Sequence, residues 1–290
     1  MEDLDVRLLV DLLRDRITPN RHLGQHFLLD EAVIERAVEI ASGNKPINQQ
    51  SHVLEIGPGP GSLTLELLRT GARVTAIELD EEAISHLNRV FDTGEGRLQV
   101  IYGDALEIEW PQDITHIVSN LPYQISSPIL EKIQRFHLNN QLQGIALLVQ
   151  EEFAEKMAMS KGHASRGPLG HSLWLDFVVE LDLKVPPHSF SPSPRVHSRL
   201  TNLIPIDRDS TASIDSRLYR MVISESFSNR RKKLRTTLKK PPNRLNRISG
   251  WHRSRWITAI ASIPNETLDL RPENLSSEDW VKLISQISQA

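Results

Sequence analysis

Asn120-Leu121-Pro122-Tyr123 follows directly on the apolar run Ile117-Val118-Ser119, and its residue types suit one demanding reaction. The exocyclic amine of adenine is a poor nucleophile, because its lone pair is delocalised into the ring. An Asn side-chain oxygen and a neighbouring backbone carbonyl, that of Leu121 or Pro122, can accept both amine hydrogens and draw the nitrogen towards a tetrahedral shape. The lone pair then points at an incoming methyl group. Pro122 supplies no N–H and restrains the residue before it, and Tyr123 offers a ring on which a base can stack. In isolation the same four residues also fit a strand end followed by a proline turn.

A second motif narrows the choice. In Val53-Leu54-Glu55-Ile56-Gly57-Pro58-Gly59-Pro60-Gly61-Ser62-Leu63-Thr64 a short apolar run feeds a loop with glycine at every second position, and an apolar-periodic segment follows at once. That order reads as strand, tight turn and helix, with the glycines letting the backbone turn sharply and approach a ligand closely. A dinucleotide fingerprint wants G-x-G-x-x-G, and its third glycine position is Ser62 here. Gly57, Gly59 and Gly61 form G-x-G-x-G instead, which favours S-adenosylmethionine over a dinucleotide. Glu78 ends the next apolar run, where a carboxylate can accept hydrogen bonds from both ribose hydroxyls of an adenosyl ligand. Asp104, just beyond the apolar run Leu98 to Tyr102, has the reach to bind the amine of an adenine.

These residues need a frame that brings them to one edge. Strands are expected at 52–56, 73–77, 98–102, 115–119 and 144–150, with helices over 63–70, 80–91, 127–136 and 151–159. In an open α/β sheet ligands collect beyond the carboxyl ends of the strands, so Gly57, Glu78, Asp104 and Asn120 converge for a topological reason. Upstream, Leu4, Leu8, Leu9, Leu12 and Leu13 recur at helical spacing, Thr18-Pro19-Asn20 interrupts, and Asp30 is placed to cap a helix over 31–41. Downstream, 161–170 reads as an exposed loop, 173–183 as a strand and 199–206 as the last strand. The proline-rich stretch 185–196 is a stiff loop presenting Phe190, either as a second stacking surface for a base or as a core plug beneath the loop. A boundary is expected at Asp207, separating a catalytic domain of residues 1–206 from a helical domain of residues 207–290, with helices over 217–227, 251–261 and 277–288.

Composition sets further limits. The chain of 290 residues contains no cysteine, which excludes disulfides, cysteine-ligated zinc and a thiolate nucleophile. Its eleven His show no metal-ligand spacing, so no metal is expected. No apolar run approaches a membrane span and no targeting segment is evident, so a cytoplasmic location without membrane contact is expected. The formal net charge is -3, yet between Arg217 and Arg255 thirteen Lys or Arg stand against one acid, Glu225. Such a block on an otherwise acidic chain is an electrostatic footprint for phosphate.

Assembled in this order, the motifs resemble those of the small-subunit ribosomal RNA adenine dimethyltransferases of the KsgA type. The resemblance runs from about Arg21 to the C-terminus. It includes Gly24 to Leu28, Asn120 to Tyr123, Phe190-Ser191-Pro192-Ser193-Pro194-Arg195-Val196-His197-Ser198, Phe227 to Leu234 and Arg271-Pro272-Glu273-Asn274-Leu275. It implies an α/β fold, the class I S-adenosylmethionine-dependent methyltransferase (Rossmann-like) sheet, with a small all-helical C-terminal domain. The implied activity is transfer of four methyl groups from S-adenosylmethionine to N6 of two adjacent adenosines in the 3'-terminal hairpin of small-subunit rRNA, with a role in small-subunit biogenesis.

Carried over by motif, the catalytic positions are Asn120, Leu121, Pro122, Tyr123 and Phe190, with the base between the last two. The cofactor contacts are Gln25, His26, Leu28, Gly57, Gly59, Glu78, Leu79, Asp104, Ala105 and Asn120. The RNA contacts are Arg195, Arg230, Arg231, Lys232, Lys233 and Arg235. The expected partner is rRNA or a small-subunit precursor, bound by a monomer. One departure stands out: the family usually has Asn where this chain has His26, which is tolerable if that position acts through its backbone. Large-subunit adenine methyltransferases of the antibiotic-resistance type share the sheet, but Leu121 and the long basic C-terminal region favour the small-subunit reading. Related mitochondrial transcription factors bind nucleic acid with little need for catalysis, and the intact 120–123 motif argues against that role.

Overall fold

The computed structural model describes residues 4–15, 25–43, 45–91, 96–212 and 214–290. The expected break at Thr18-Pro19-Asn20, and Gly24 of the first resembling motif, lie outside them. The described residues form two compact units, one of residues 1–154 with 178–205 and the other of 155–177 with 206–290. The chain therefore passes between the units three times, where the sequence suggested a single passage near Asp207.

The first unit is built on a seven-stranded sheet. Its strands are β2 (His52–Ile56), β3 (Arg73–Glu78), β4 (Leu98–Tyr102), β5 (His116–Asn120), β6 (Gly144–Gln150), β7 (Phe177–Val185) and β9 (Ser198–Pro205), in the order β4-β3-β2-β5-β6-β9-β7. The five strands from β4 to β6 are mutually parallel, and β9 runs antiparallel to β6. Every residue of β2 is buried, as a strand covered on both faces requires. The chain lays down β2, β3 and β4 outward in one direction, then returns to place β5 on the other side of β2. That reversal opens a crevice beyond the carboxyl ends of β2 and β5, where Gly57 and Asn120 lie.

Helices α1 (Val6–Arg14), α2 (Glu31–Ser42), α3 (Ser62–Arg69), α4 (Glu81–Val90) and α5 (Ser126–Asn140) belong to the same unit, and α6 (Glu151–Ala158) begins in it and ends in the second. Leu9 and Leu13 of α1 are buried, as their spacing predicts, but Leu8 and Leu12 remain exposed and Val6 and Val10 complete the buried face. Asp80 caps α4, its carboxylate accepting from the amides of Glu82 and Ala83. Asp30 is the N-cap residue of α2, its carbonyl accepting from the amides of Val33 and Ile34. Its carboxylate makes no capping bond and accepts instead a 2.9 Å hydrogen bond from the Ser189 hydroxyl. A two-stranded antiparallel piece joins β1 (Phe27–Leu28) to β8 (Phe190–Ser191), with Leu28 opposite Phe190.

The expected strand over 173–183 is in part a helix. α7 (Pro168–Asp176) occupies its beginning and β7 starts only at Phe177. Pro168 at the first helical position favours that start, and Leu175 is taken into the core of the second unit. That unit also holds α8 (Ser216–Phe227), α9 (Leu234–Thr237), α10 (Arg253–Ala261), α11 (Asn265–Leu268) and α12 (Ser277–Gln289). Its core centres on Tyr219, Trp251, Trp256 and Trp280. Trp256 satisfies its buried indole N–H with the Leu238 carbonyl at 3.0 Å. Among the described residues no helix is long and apolar enough to cross a membrane.

Candidate active site

The glycine loop after β2 holds three backbone conformations that favour glycine, with φ of 68° at Gly57, 54° at Gly59 and 88° at Gly61. The reasons differ along the loop. A Cβ on Gly61 would lie 2.5 Å from Phe91 and 2.8 Å from Leu87, so this glycine lets the loop pack on α4. The close-packing role that a dinucleotide fingerprint gives to its third glycine is therefore filled one residue early. Gly57 sits at the crevice itself, its amide bonded to the Ile77 carbonyl at 2.9 Å.

Glu78, at the end of β3, is locked by the backbone. One carboxylate oxygen accepts from the Gly59 amide at 3.1 Å, the other from the amides of Leu79 at 2.8 Å and Asp80 at 3.0 Å. Burial raises the carboxyl above its ordinary range, against the pull of these three donors. Glu55, one strand over, is fully buried and bonds the Thr64 hydroxyl at 2.6 Å; burial foremost pushes it up to about 8, so it holds its proton at neutral pH. Both carboxyls line one cavity of about 250 Å³ together with apolar Leu28, Ile56, Leu63 and Ile77. Buried carboxyls with raised values gain most from a cation, which returns them to the ionised form.

All ten positions expected to touch the cofactor line this cavity, as do Leu121, Pro122 and Tyr123. Asp104 presents a carboxylate, one oxygen of which accepts from the Leu106 amide at 2.8 Å. Gln25 donates to Asp80 at 2.8 Å, joining the rim to the start of α4. The chemistry of the lining fits S-adenosylmethionine: acids for a cationic sulfonium ligand, an apolar wall for its base, and a glycine turn for close approach. Among the described residues no group of three or more His, Cys, Asp or Glu is placed to hold a metal ion.

At the catalytic motif, the Asn120 amide nitrogen donates to the backbone carbonyl of His26 at 2.9 Å. With its donor committed, the side-chain oxygen is left as an acceptor. Pro122's carbonyl accepts from the Ile125 amide at 3.1 Å and from the Ser126 hydroxyl at 3.3 Å, closing the turn into α5. Of the two carbonyls considered for holding an amine, Leu121's is therefore the better acceptor. The Ser119 hydroxyl ties β5 to the Ile56 carbonyl at 2.6 Å, across the switch between β2 and β5.

Tyr123 bonds Ser198 at 2.7 Å, which fixes the phenol and explains the place of Ser198 at the end of the 190–198 motif. Its ring neighbour is His26, with centroids 5.7 Å apart and planes inclined by 29°. Phe190, expected to face Tyr123 across a base, is 2% exposed and lies in the core cluster with Leu28. Apolar burial wins there, and Phe190 does not line the cavity.

The expected RNA contacts divide between the units. Arg195 is exposed in the first. In the second, Arg230 is committed internally, to Glu273 at 2.5 Å and to the carbonyls of His163 and Ala164. Lys233 and Arg235 both reach Asp269, at 3.2 Å and 2.5 Å. Arg231 and Lys232 are exposed and make no ion pair with a described residue.

Three side chains that line or brace the cavity were not singled out from sequence: Glu55, Ser119 and Ser198. Glu55 lay within the glycine motif but read as a strand residue. The two serines become visible only when their hydrogen-bond partners, 63 and 75 residues away, are placed.

A family model described as ribosomal RNA adenine dimethylase matches residues 17–251. The chain is 34% identical over 284 residues to the ribosomal RNA small subunit methyltransferase A of Gloeobacter violaceus, covering 93% of this chain and 94% of that protein. It is 33% identical to the probable ribosomal RNA small subunit methyltransferase A of Methanopyrus kandleri, covering 94% of each. A solved dimethyladenosine transferase from Plasmodium falciparum superposes with a TM-score of 0.73 at 26% identity, over 90% of this chain and 97% of that one. The 23S rRNA methyltransferase ErmE, 24% identical with a TM-score of 0.63, shares the fold. The fold is that of class I S-adenosylmethionine-dependent methyltransferases, and the chain belongs to the ribosomal RNA adenine dimethylase family.

Proposed function

We propose that the protein dimethylates N6 of two adjacent adenosines in the 3'-terminal hairpin of small-subunit rRNA, acting in the cytoplasm on the subunit or its precursor. The observation that carries this reading is the oriented Asn120 amide, held by the His26 carbonyl on the wall of a cavity whose other side is lined by Glu78 and Asp104. When bound there, S-adenosylmethionine supplies an electrophilic methyl that N6 takes in line, leaving S-adenosylhomocysteine. The chain itself acts by position and by hydrogen bonds. Asn120 Oδ1 and the Leu121 carbonyl accept the two N6 hydrogens, and Tyr123, steadied by Ser198, gives the flipped base a stacking face. Glu78 takes the ribose hydroxyls and Asp104 the cofactor's adenine amine. No covalent intermediate is needed, and the methylated nitrogen, now acidic, gives its proton to solvent water.

The carbonyl of residue 26, rather than its side chain, meets Asn120, which supports His26 as a tolerated replacement for the family's usual Asn. For RNA, exposed Arg231, Lys232 and Arg195 are the better candidates for phosphate contact. Arg230, Lys233 and Arg235 also hold the second unit together through Glu273 and Asp269.

The test is incubation with S-adenosylmethionine and small subunits lacking the modification, followed by digestion to nucleosides and mass analysis. N6,N6-dimethyladenosine in the 3'-terminal hairpin is the expected product. Cofactor binding without any methylated product would overturn the assignment.

A further inference from the structure

We propose that Lys132 is a positioning residue that holds the adenine end of the cofactor pocket and so sets its preference for adenine over other purines. It stands on α5, outside the cavity lining, and spends its ammonium on the loop that follows β4. Its Nζ donates to the carbonyls of Ala105 at 2.9 Å and Leu106 at 3.0 Å, and also to that of Ile108. A Lys ammonium has three hydrogens, and three carbonyls of one short loop take them. The indole N–H of Trp110 donates to the same Ala105 carbonyl at 3.0 Å, and Lys132 Nζ lies 4.9 Å from the centre of the Trp110 ring.

The loop so gripped is the one that carries Asp104 and Ala105 into the cavity. Asp104 spends one carboxylate oxygen on the Leu106 amide within the same turn, which aims its other oxygen. At the loop's start the Gly103 amide bonds the Glu78 carbonyl at 2.8 Å. Lys132 and Trp110 fix its far side. The two ends of the nucleoside site, Glu78 and Asp104, are thus kept in one relation by backbone bonds at one side and an ammonium at the other. An apolar residue at 132 would leave the Leu106 and Ile108 carbonyls to water, while Trp110 would still hold Ala105. The fold would keep its anchor and the carboxylate would lose its aim.

This inference rests on the adenosyl cofactor proposed above. A purine bearing oxygen in place of the 6-amine presents an acceptor where adenine presents a donor, its own N–H lying at N1, so the ratio of the two affinities reads the aim of that carboxylate. The experiment measures binding of S-adenosylhomocysteine and S-inosylhomocysteine by calorimetry to the full chain, to Lys132→Met and to Lys132→Arg. Wild-type protein is expected to prefer the adenosyl compound by about tenfold or more. Lys132→Met should reduce that preference to roughly threefold or less, and Lys132→Arg, which retains N–H donors, should restore most of it. An unchanged preference in Lys132→Met, or an equal loss of affinity for both compounds, would overturn the role assigned to Lys132. Wild-type protein that binds neither compound would remove the cofactor reading itself, and this proposal with it.

Discussion

The two ends of the central sheet carry polar networks of similar make-up and opposite use. At the carboxyl ends of β2, β3 and β5, Glu55, Glu78 and Asn120 are oriented by hydrogen bonds and face a cavity. At the amino ends, His52 bonds Thr75 at 2.7 Å through one ring nitrogen and Asp113 at 3.0 Å through the other, and Arg73 pairs with the same Asp113. A hydroxyl, an imidazole and a carboxylate in line have the outward form of a nucleophile, its base and an orienting acid. Thr75 is wholly buried, however, and lines no cavity described for the molecule. The lesson is that oriented polar groups become a site only where packing leaves room for a reacting atom. The switch between β2 and β5 leaves that room at the carboxyl end, around Gly57 and Asn120.

Substitutions at the two ends should therefore separate function from stability. The largest effect on cofactor binding is expected at Glu78→Gln, which replaces the carboxylate between the glycine loop and the ligand. S-adenosylhomocysteine binding, followed by calorimetry, should weaken by roughly 10²-fold, or about 2.7 kcal/mol. Gly61→Ala should act on both properties at once, because its Cβ would press on Phe91 and Leu87 at a φ of 88°. A loss of about 2 kcal/mol in denaturant unfolding, together with weaker cofactor binding, is the expected result. An alanine tolerated without cost would mean that α4 yields and that the glycine is not kept for packing.

His52→Gln, at the closed end, should lower stability by about 1 kcal/mol and leave cofactor affinity unchanged. It also carries a pH signature. Burial, foremost, lowers the His52 value in the folded chain below 6.5, so the unfolded chain binds more protons as pH falls through that range. The stability contributed by neutral His52 is complete above about pH 6.5 and is lost as pH falls towards its folded value. Between pH 7 and pH 5.5 stability should change less favourably in the wild type than in His52→Gln, while Glu55, which keeps its proton only in the folded chain, moves both in the opposite sense. Buried His116 and His171, lowered for the same reason, act alike in both proteins and cancel in that comparison.

Local pattern carried much of this fold. The edge strand 98–102 lies where expected, with Gln99 and Tyr102 exposed. The strands 52–56 and 144–150 also lie where their apolar runs place them, because a strand covered on both faces must be largely apolar. The run from Leu173 to Val179 misled for the same reason. It is apolar without a period, and only the partners of Leu175 in the second unit and of β7 in the sheet divide it into helix and strand. Phe190 shows a different limit: an aromatic residue in a stiff proline loop has the same signature over a ligand as over a core. Lys132 shows a third, since a lysine on an amphipathic helix reads as a solvated charge until the carbonyls beneath it are placed.

At the open end Asn120 is assigned to the amine and its neighbours to the cofactor, and Asn120→Ala separates the two roles. One preparation should be used for both S-adenosylhomocysteine binding and single-turnover methylation of small subunits. Methyl transfer should fall by at least about 10³-fold, with the dissociation constant held within roughly threefold of wild type. Transfer and binding lost in equal measure would contradict that assignment, making Asn120 a part of the cofactor's seat and not the group that prepares the amine.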